Sequence, residues 1–283
     1  VNKKNVPMVS LLRSFPSGSR PRNEVRASGR NIKLEIEYDG TAYCGWQVQV
    51  SHKHKSIQET IEKALHKILQ EKIRLIASGR TDAGVHALAQ VANFKTHSQI
   101  GLAKLQKALN GNLPSDLAIN KAEEADTGFH SRFQAKAKLY RYTILNRGWH
   151  SALLRNSVYF YPYPLDIRVM QKEARCLLGR HDFRAFCAAG SGAKSTFRQV
   201  KNISIHKRYY PLSAIRYPLV TIDIEADGFL YNMARNIVGT LLEIGRGKLP
   251  GGSLKKILLA KNRRLAGATA PASGLCLLKV KYK

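Results

Sequence analysis

The apolar period of this chain switches from two residues to about 3.6 and back, in one order, and it does so twice. Ile32, Leu34, Ile36 and Tyr38 alternate with Lys33, Glu35, Glu37 and Asp39, the mark of a strand with one buried face. Ser56–Gln70 then carries Ile57, Ile61, Leu65, Ile68 and Leu69 at helical spacing, with Ser56 placed to cap the first turn. Strand patterns follow at Ile73–Ala77 and Ala87–Thr96, a short helix at Leu102–Asn110 ended by Gly111 and Pro114, and strands at Leu117–Glu123 and Lys136–Leu145. The second round has a strand at Val158–Tyr161, a helix at Leu165–Leu178 ended by Gly179, and strands at Val200–Lys207 and Leu219–Ala226. A helix at Tyr231–Ile244, a turn or two at Leu254–Ala260 and a strand at Leu275–Tyr282 complete it. Each round reads approximately β-α-β-β-α-β. The expected fold is α+β: two related halves, 31–145 and 146–283, packed as one pseudo-symmetric unit with flanking helices. The repeat lies in the order of elements, not in residue identities.

Charge narrows the partners. Among 283 residues, 47 are Lys or Arg and 19 are Asp or Glu, a formal net charge of +28. Such an excess repels itself unless a polyanion is near, which points to nucleic acid or an anionic membrane surface. No run of 18 apolar residues exists, so no transmembrane helix is expected. A basic amphipathic helix with a wide apolar face is also lacking, which disfavours the membrane surface. The four cysteines, Cys44, Cys176, Cys187 and Cys276, form no C-x-x-C pair. Neither a zinc knuckle nor a disulfide framework is indicated, and a reducing compartment is the default. His52 and His54 lie close, but Lys53 and Lys55 repel a cation there.

Residues 1–30 stand apart. Seven are Lys or Arg, Glu24 is the lone acid, and no apolar period runs through them. They read as a disordered basic arm. Two functional readings compete with plain disorder: a grip on phosphate, or an organellar transit peptide. The chain begins with Val rather than Met, which leaves its true start undefined.

Several constellations bear chemistry. Ser78-Gly79-Arg80-Thr81-Asp82-Ala83-Gly84-Val85-His86 lies between two strands and sets an acid between glycines. Such a loop lets a ligand approach the backbone closely, though Asp and Gly also make ordinary turns. Tyr140-Arg141-Tyr142 suits base stacking and phosphate contact, or is a strand with one buried Tyr. Asp223, Glu225 and Asp227 share a strand face; they bind Mg²⁺ or, as favoured here, pair with lysines in water. Arg235 lies one residue from the apolar stripe of its helix, where a cation wants an anionic partner or snorkels to the surface.

The ordered set of motifs resembles the tRNA pseudouridine synthase A (TruA) family. Residues 78–86 with Gln90 and Phe94 look like its catalytic loop. Tyr38-Asp39-Gly40-Thr41, Tyr43 and Gly45-Trp46-Gln47 resemble its opening strand. Phe129-His130-Ser131-Arg132-Phe133 and Lys138-Leu139-Tyr140-Arg141-Tyr142 resemble its middle motif, followed by His181-Asp182-Phe183 and Phe186. Gly228-Phe229-Leu230-Tyr231-Asn232-Met233-Ala234-Arg235-Asn236-Ile237-Val238-Gly239 resembles its late helix, with Ala234 where Val is usual. Thr269-Ala270-Pro271 and Gly274-Leu275 resemble its last motif. The likeness spans about residues 31–283, and several ordered motifs are far more specific than one.

The resemblance implies a pseudouridine-synthase fold and isomerisation of uridine to pseudouridine in the anticodon stem-loop of tRNA, typically at positions 38 to 40. It implies no cofactor, since nothing is added or oxidised, and no metal. Asp82 would be the essential catalytic carboxylate. It attacks the sugar C1′ as nucleophile, adds at uracil C6, or assists proton loss from C2′. Arg235 would pair with Asp82 and favour its ionised form. Tyr140 would stack on the target uracil and handle a proton. Arg80 would contact a backbone phosphate while the nucleotide is flipped out of the stem. The implied partners are tRNA and a second copy in a homodimer, with no membrane, and the implied location is the cytoplasm or, with a transit arm, an organelle. The alternative is a non-catalytic tRNA-binding or tRNA-folding protein on the same scaffold.

Overall fold

A computed structural model describes residues 29–48, 55–212 and 215–282. Most of the basic arm and the His52/His54 pair therefore lie outside the described residues. In chain order the elements are β1 (Arg30–Tyr38), α1 (Ile57–Leu69), β2 (Ile76–Ala77), β3 (His86–Thr96), α2 (Leu102–Asn112), β4 (Leu117–Ala125) and β5 (Ala137–Leu145). They continue with β6 (Tyr159–Phe160), α3 (Ile167–Ala174), β7 (Gly179–Asp182), β8 (Phe197–Leu212), β9 (Ile215–Ala226), α4 (Met233–Gly245), α5 (Ser253–Ala260) and β10 (Leu275–Lys281).

The fold is α+β, built on a large, mostly antiparallel sheet. Its main path runs β4-β1-β3-β10-β5-β9-β8-β7, with β2 attached to β3 and β6 to β5. The C-terminal strand is the join. β10 pairs with β3 in parallel through Cys276–His86 and Leu277–Ala87, and with β5 antiparallel. This brings β3, which leaves the 78–86 loop, within one strand of β5, which carries Tyr140.

Local chemistry explains the elements. On β1 the alternating Ile32, Leu34, Ile36 and Tyr38 are all buried, as period two requires. Ser56 accepts a hydrogen bond from Glu59 N at 3.1 Å, a cap worth about 1 kcal/mol. Behind it Ile57, Ile61 and Leu65 are fully buried, each contributing about 1.5–3 kcal/mol. Helix α4 buries Met233, Ile237, Leu241 and Ile244 in the same apolar cluster as α1 and the strands.

Some boundaries differ from the sequence expectation. Arg30, assigned to the arm, opens β1 and holds Glu124 through Nε at 3.1 Å. Gly111 lies inside the last turn of α2 rather than ending it; the helix stops before Pro114. The strand expected at Ile73–Ala77 shortens to β2, and the helix expected at Leu165–Leu178 ends as α plus one 3-10 turn. β7 was not expected. It is four residues, Gly-Arg-His-Asp, with no apolar alternation, on the outer edge of the sheet.

Candidate active site

The 78–86 loop is held from three sides. Ser78 N bonds Val91 O at 2.7 Å and Ser78 Oγ donates to Gln90 Oε1 at 2.6 Å. Gln90 Nε2 returns to Gly79 O at 2.9 Å. Further on, Thr81 Oγ1 meets Tyr38 OH at 2.9 Å, and Thr81 O accepts from Trp46 N at 3.0 Å. Gly45, at φ +100°, permits that contact: a Cβ there would stand 2.7 Å from Thr81 O. The buried amide of Gln90 and the opening segment thus fix the backbone on both sides of Asp82.

Asp82 faces α4 through Arg235. Its carboxyl lies 3.6 Å from Arg235 Nη1, the two side chains being 29% and 17% exposed. This is an ion pair and not the two-pronged grip that a guanidinium can make. The shorter bonds of Arg235 go elsewhere, Nε to Ala270 O at 2.7 Å and Nη1 to Asn232 Oδ1 at 2.9 Å. Asn232 sits in the left-handed region (φ 58°) at the cap of α4, where Asn is tolerated better than most residues. Burial raises the Asp82 carboxyl above its ordinary range. Arg235 pulls it back down, and burial is the larger effect. The expectation that Arg235 favours the ionised form holds for its own contribution but not for the balance.

Ala270 is itself braced. Arg263 Nη1 donates to Ala266 O and Gly267 O at 3.3 and 3.0 Å, and Nη2 to Asn236 Oδ1 and Thr269 Oγ1 at 2.9 and 3.1 Å. Gly267 N bonds Thr240 Oγ1 at 2.9 Å. Tyr142 OH, from β5, donates to Pro271 O at 2.7 Å.

Tyr140 comes from the same strand, β5, its ring buried and set edge-on against Phe229 at 4.9 Å. Burial drives its phenol far above the ordinary value, and the nearby Tyr38 and Asp82 add to the effect. Arg80 is exposed and makes no hydrogen bond or ion pair with another described residue. The structure therefore brings Asp82, Arg235 and Tyr140 together and leaves Arg80 pointing outward.

A tRNA pseudouridine synthase family model matches residues 35–134 and 174–283. The chain belongs to the tRNA pseudouridine synthase family. The tRNA pseudouridine synthase A of Acetivibrio thermocellus is 46% identical over 253 residues, covering 89% of this chain and 100% of the relative. That of Caldicellulosiruptor bescii is 47% identical with the same coverage. The tRNA pseudouridine synthase A 2 of Clostridium perfringens is 44% identical, again with the same coverage. These family members are isomerases, and the two matched segments fit the two-round order of elements.

In this family member one of the sequence readings changes and another is kept. Arg141 is not available to phosphate: its Nε and Nη2 grip both oxygens of Asp223 at 2.7 Å. Asp223, Glu225 and Asp227 are each engaged, by Arg141, by Lys281 at 2.8 Å, and by Gln199 N at 2.9 Å. The carboxylate row is a paired strand face, with one of its cations an arginine. Asn232, Ala270 and Lys138 entered the sequence reading only as members of motifs, with no role, and Arg263 did not enter it. For Lys138 a signal existed. It is in phase with Tyr140, Tyr142 and Ile144 on the apolar face of β5, where a cation is out of place.

Proposed function

We propose that this chain isomerises uridine to pseudouridine in the anticodon stem-loop of tRNA, typically at positions 38 to 40, with Asp82 as the catalytic carboxylate. The supporting observation is the convergence of Asp82, Arg235 and Tyr140 in one place in a chain with net charge +28.

The reaction breaks N1–C1′, turns the uracil and joins C5 to C1′; the proton leaving C5 is balanced by one gained at N1. Asp82 supplies the electron pair, at C1′, at C6, or as base toward C2′. Arg235 compensates the charge of the carboxylate while leaving its oxygens free of a hydrogen-bonded fork. Tyr140 offers a ring face to the uracil and a protonated phenol. Arg80, exposed on the same loop, reaches a backbone phosphate, so that phosphate contacts and stacking offset the few kcal/mol of flipping. The reading includes a homodimer, checked by sedimentation of the full chain, and residence in the cytoplasm.

The test is Asp82→Asn in a single-turnover assay on tRNA, with pseudouridines mapped by carbodiimide-blocked primer extension, beside a filter-binding titration. Pseudouridine formation is abolished while affinity stays within about tenfold, or 1.4 kcal/mol. Robust turnover by the Asn variant, or no pseudouridine with the wild-type protein, defeats the reading.

A further inference from the structure

Beside the catalytic loop lies a cation that the mechanism does not use. Lys138 projects from β5 in phase with Tyr140, opposite Ala226 on β9. Its Nζ donates to Ser78 O at 2.7 Å and rests against Gly79, where any Cβ would collide with it. Among the described residues no carboxylate lies within ion-pair distance of it. The ammonium is enclosed with one acceptor for three donors.

Two arginines close on the same place. Arg132 follows Ser131, whose Oγ donates to Ile76 O two residues before Ser78. Its guanidinium makes no ion pair with a described residue and lies 5.7 Å over the exposed Phe133 ring. Arg198 comes from the far side: a Cβ on Gly228 would stand 3.3 Å from its Nε, and Gly228 precedes the Phe229 that backs Tyr140. One terminal nitrogen of Arg198 is fixed by Ser195 O and Phe197 O at 2.9 and 2.6 Å, and among the described residues it forms no ion pair with a carboxylate. Enclosure, then Arg132 and Arg198, lower the Lys138 ammonium to about 8. Support of one carbonyl needs a single donor. Three converging cations with no anion among the described residues raise the energy of the free protein and are relieved by an anion.

We propose that Lys138, Arg132 and Arg198 form a phosphate site that takes one backbone phosphodiester of the RNA next to the flipped nucleotide. The site lies between the loop bearing Asp82 and the turn bearing Phe229, so a phosphate held there orients the nucleotide whose base approaches Asp82 and Tyr140. The proposal rests on RNA being the substrate. It adds a defined contact to the general attraction of a basic surface, one with its own geometry and its own position in the RNA.

The test uses the full chain and a synthetic anticodon stem-loop RNA carrying one neutral methylphosphonate at a time around the target uridine. Binding is titrated for wild type, Lys138→Met and Arg198→Gln. At one position the neutral linkage weakens wild-type binding about tenfold, the worth of a charge-assisted hydrogen bond. At that position it costs each variant less than about twofold, because the contact is already gone. Each variant also shows a salt slope shallower by about 0.7–0.9. Lys138→Met can disturb Ser78, so Arg198→Gln, which does not touch the loop, must lose the same phosphate. The same penalty in wild type and variants at every position, unchanged salt slopes, or an effect confined to Lys138→Met overturns the site. Isomerisation is read separately: a phosphate signature without pseudouridine defeats the reaction and keeps the site, and pseudouridine without the signature does the reverse.

Discussion

Arg235 faces Asp82 at 3.6 Å while its two shorter bonds, at 2.7 and 2.9 Å, go to Ala270 and Asn232. The guanidinium is thus oriented by backbone and cap, and not by the carboxylate it serves. A carboxylate held in a bidentate fork has both oxygens committed. Asp82 keeps lone pairs available beside a fixed positive charge, which suits a group that must act as nucleophile or base.

This arrangement sets the pH dependence. In the proposed mechanism the ionised carboxylate is the reactive form, and burial outweighs Arg235 in setting its pKa above the ordinary range. The acid limb of the single-turnover rate is therefore expected above the ordinary Asp value of about 3.9. Arg235→Gln removes the lowering influence and moves the limb to still higher pH. Rates measured across about pH 4 to 8 decide it; a limb at or below the ordinary value, or a downward move in the variant, rejects the assignment.

Tyr140 separates into a ring and a hydroxyl. Burial keeps the phenol protonated at neutral pH, so in the proposed mechanism it serves as a hydrogen-bond donor and not as a base. Tyr140→Phe keeps the ring against Phe229 and should bind tRNA within about twofold of wild type, yet slow the chemical step by about 100-fold or more. Tyr140→Ala should also weaken binding, by the about 1–3 kcal/mol of a lost base–aromatic stack. A Phe variant reacting at the wild-type rate leaves Tyr140 a stacking surface only.

The sequence made the alternating and helical elements legible because burial follows period. β1 and α4 show this, with Ile32 through Tyr38 and Met233 through Ile244 on their buried faces. The residues of the site were legible through motif, since nothing in local periodicity distinguishes Asp82 from a turn aspartate. The supports of Arg235 were hidden for a physical reason. Ala270 contributes a carbonyl oxygen, which any residue type supplies, and Asn232 acts through a left-handed backbone. β7 was invisible because an outer strand of four polar-rich residues carries no apolar alternation.

The 266–270 segment is the next lever. Arg263 ties it down through three acceptors in the segment and reaches Asn236 on α4 with a fourth bond, and Ala270 in turn fixes Arg235. Arg263→Met should lower stability by about 2 kcal/mol through lost, partly buried hydrogen bonds, about 4–8 °C in Tm for a chain of this size. At a temperature where the variant is fully folded, the chemical step should still slow by about tenfold with tRNA affinity unchanged, because Arg235 is no longer held. A variant that loses stability but reacts at the wild-type rate shows that Arg235 keeps its place without the clamp.

The last prediction joins Asp82 and Arg235 directly. If Arg235 acts on the reaction through Asp82, removing either leaves the other with little to do. Asp82→Ala and Arg235→Ala should then be strongly non-additive in the single-turnover rate, the double variant reacting about as slowly as Asp82→Ala alone. Arg235→Lys keeps a positive charge but cannot reach Ala270 O, Asn232 Oδ1 and Asp82 with one ammonium, since those contacts use the spread of the guanidinium. It should bind tRNA normally and react between the wild type and Arg235→Ala. Arg235→Ala leaves a partly buried carboxylate without its counter-charge, so its acid limb should lie above that of Arg235→Lys. Additive losses in the cycle, or a Lys variant no better than Ala in both rate and pH profile, mean that Arg235 works on the RNA and not on Asp82.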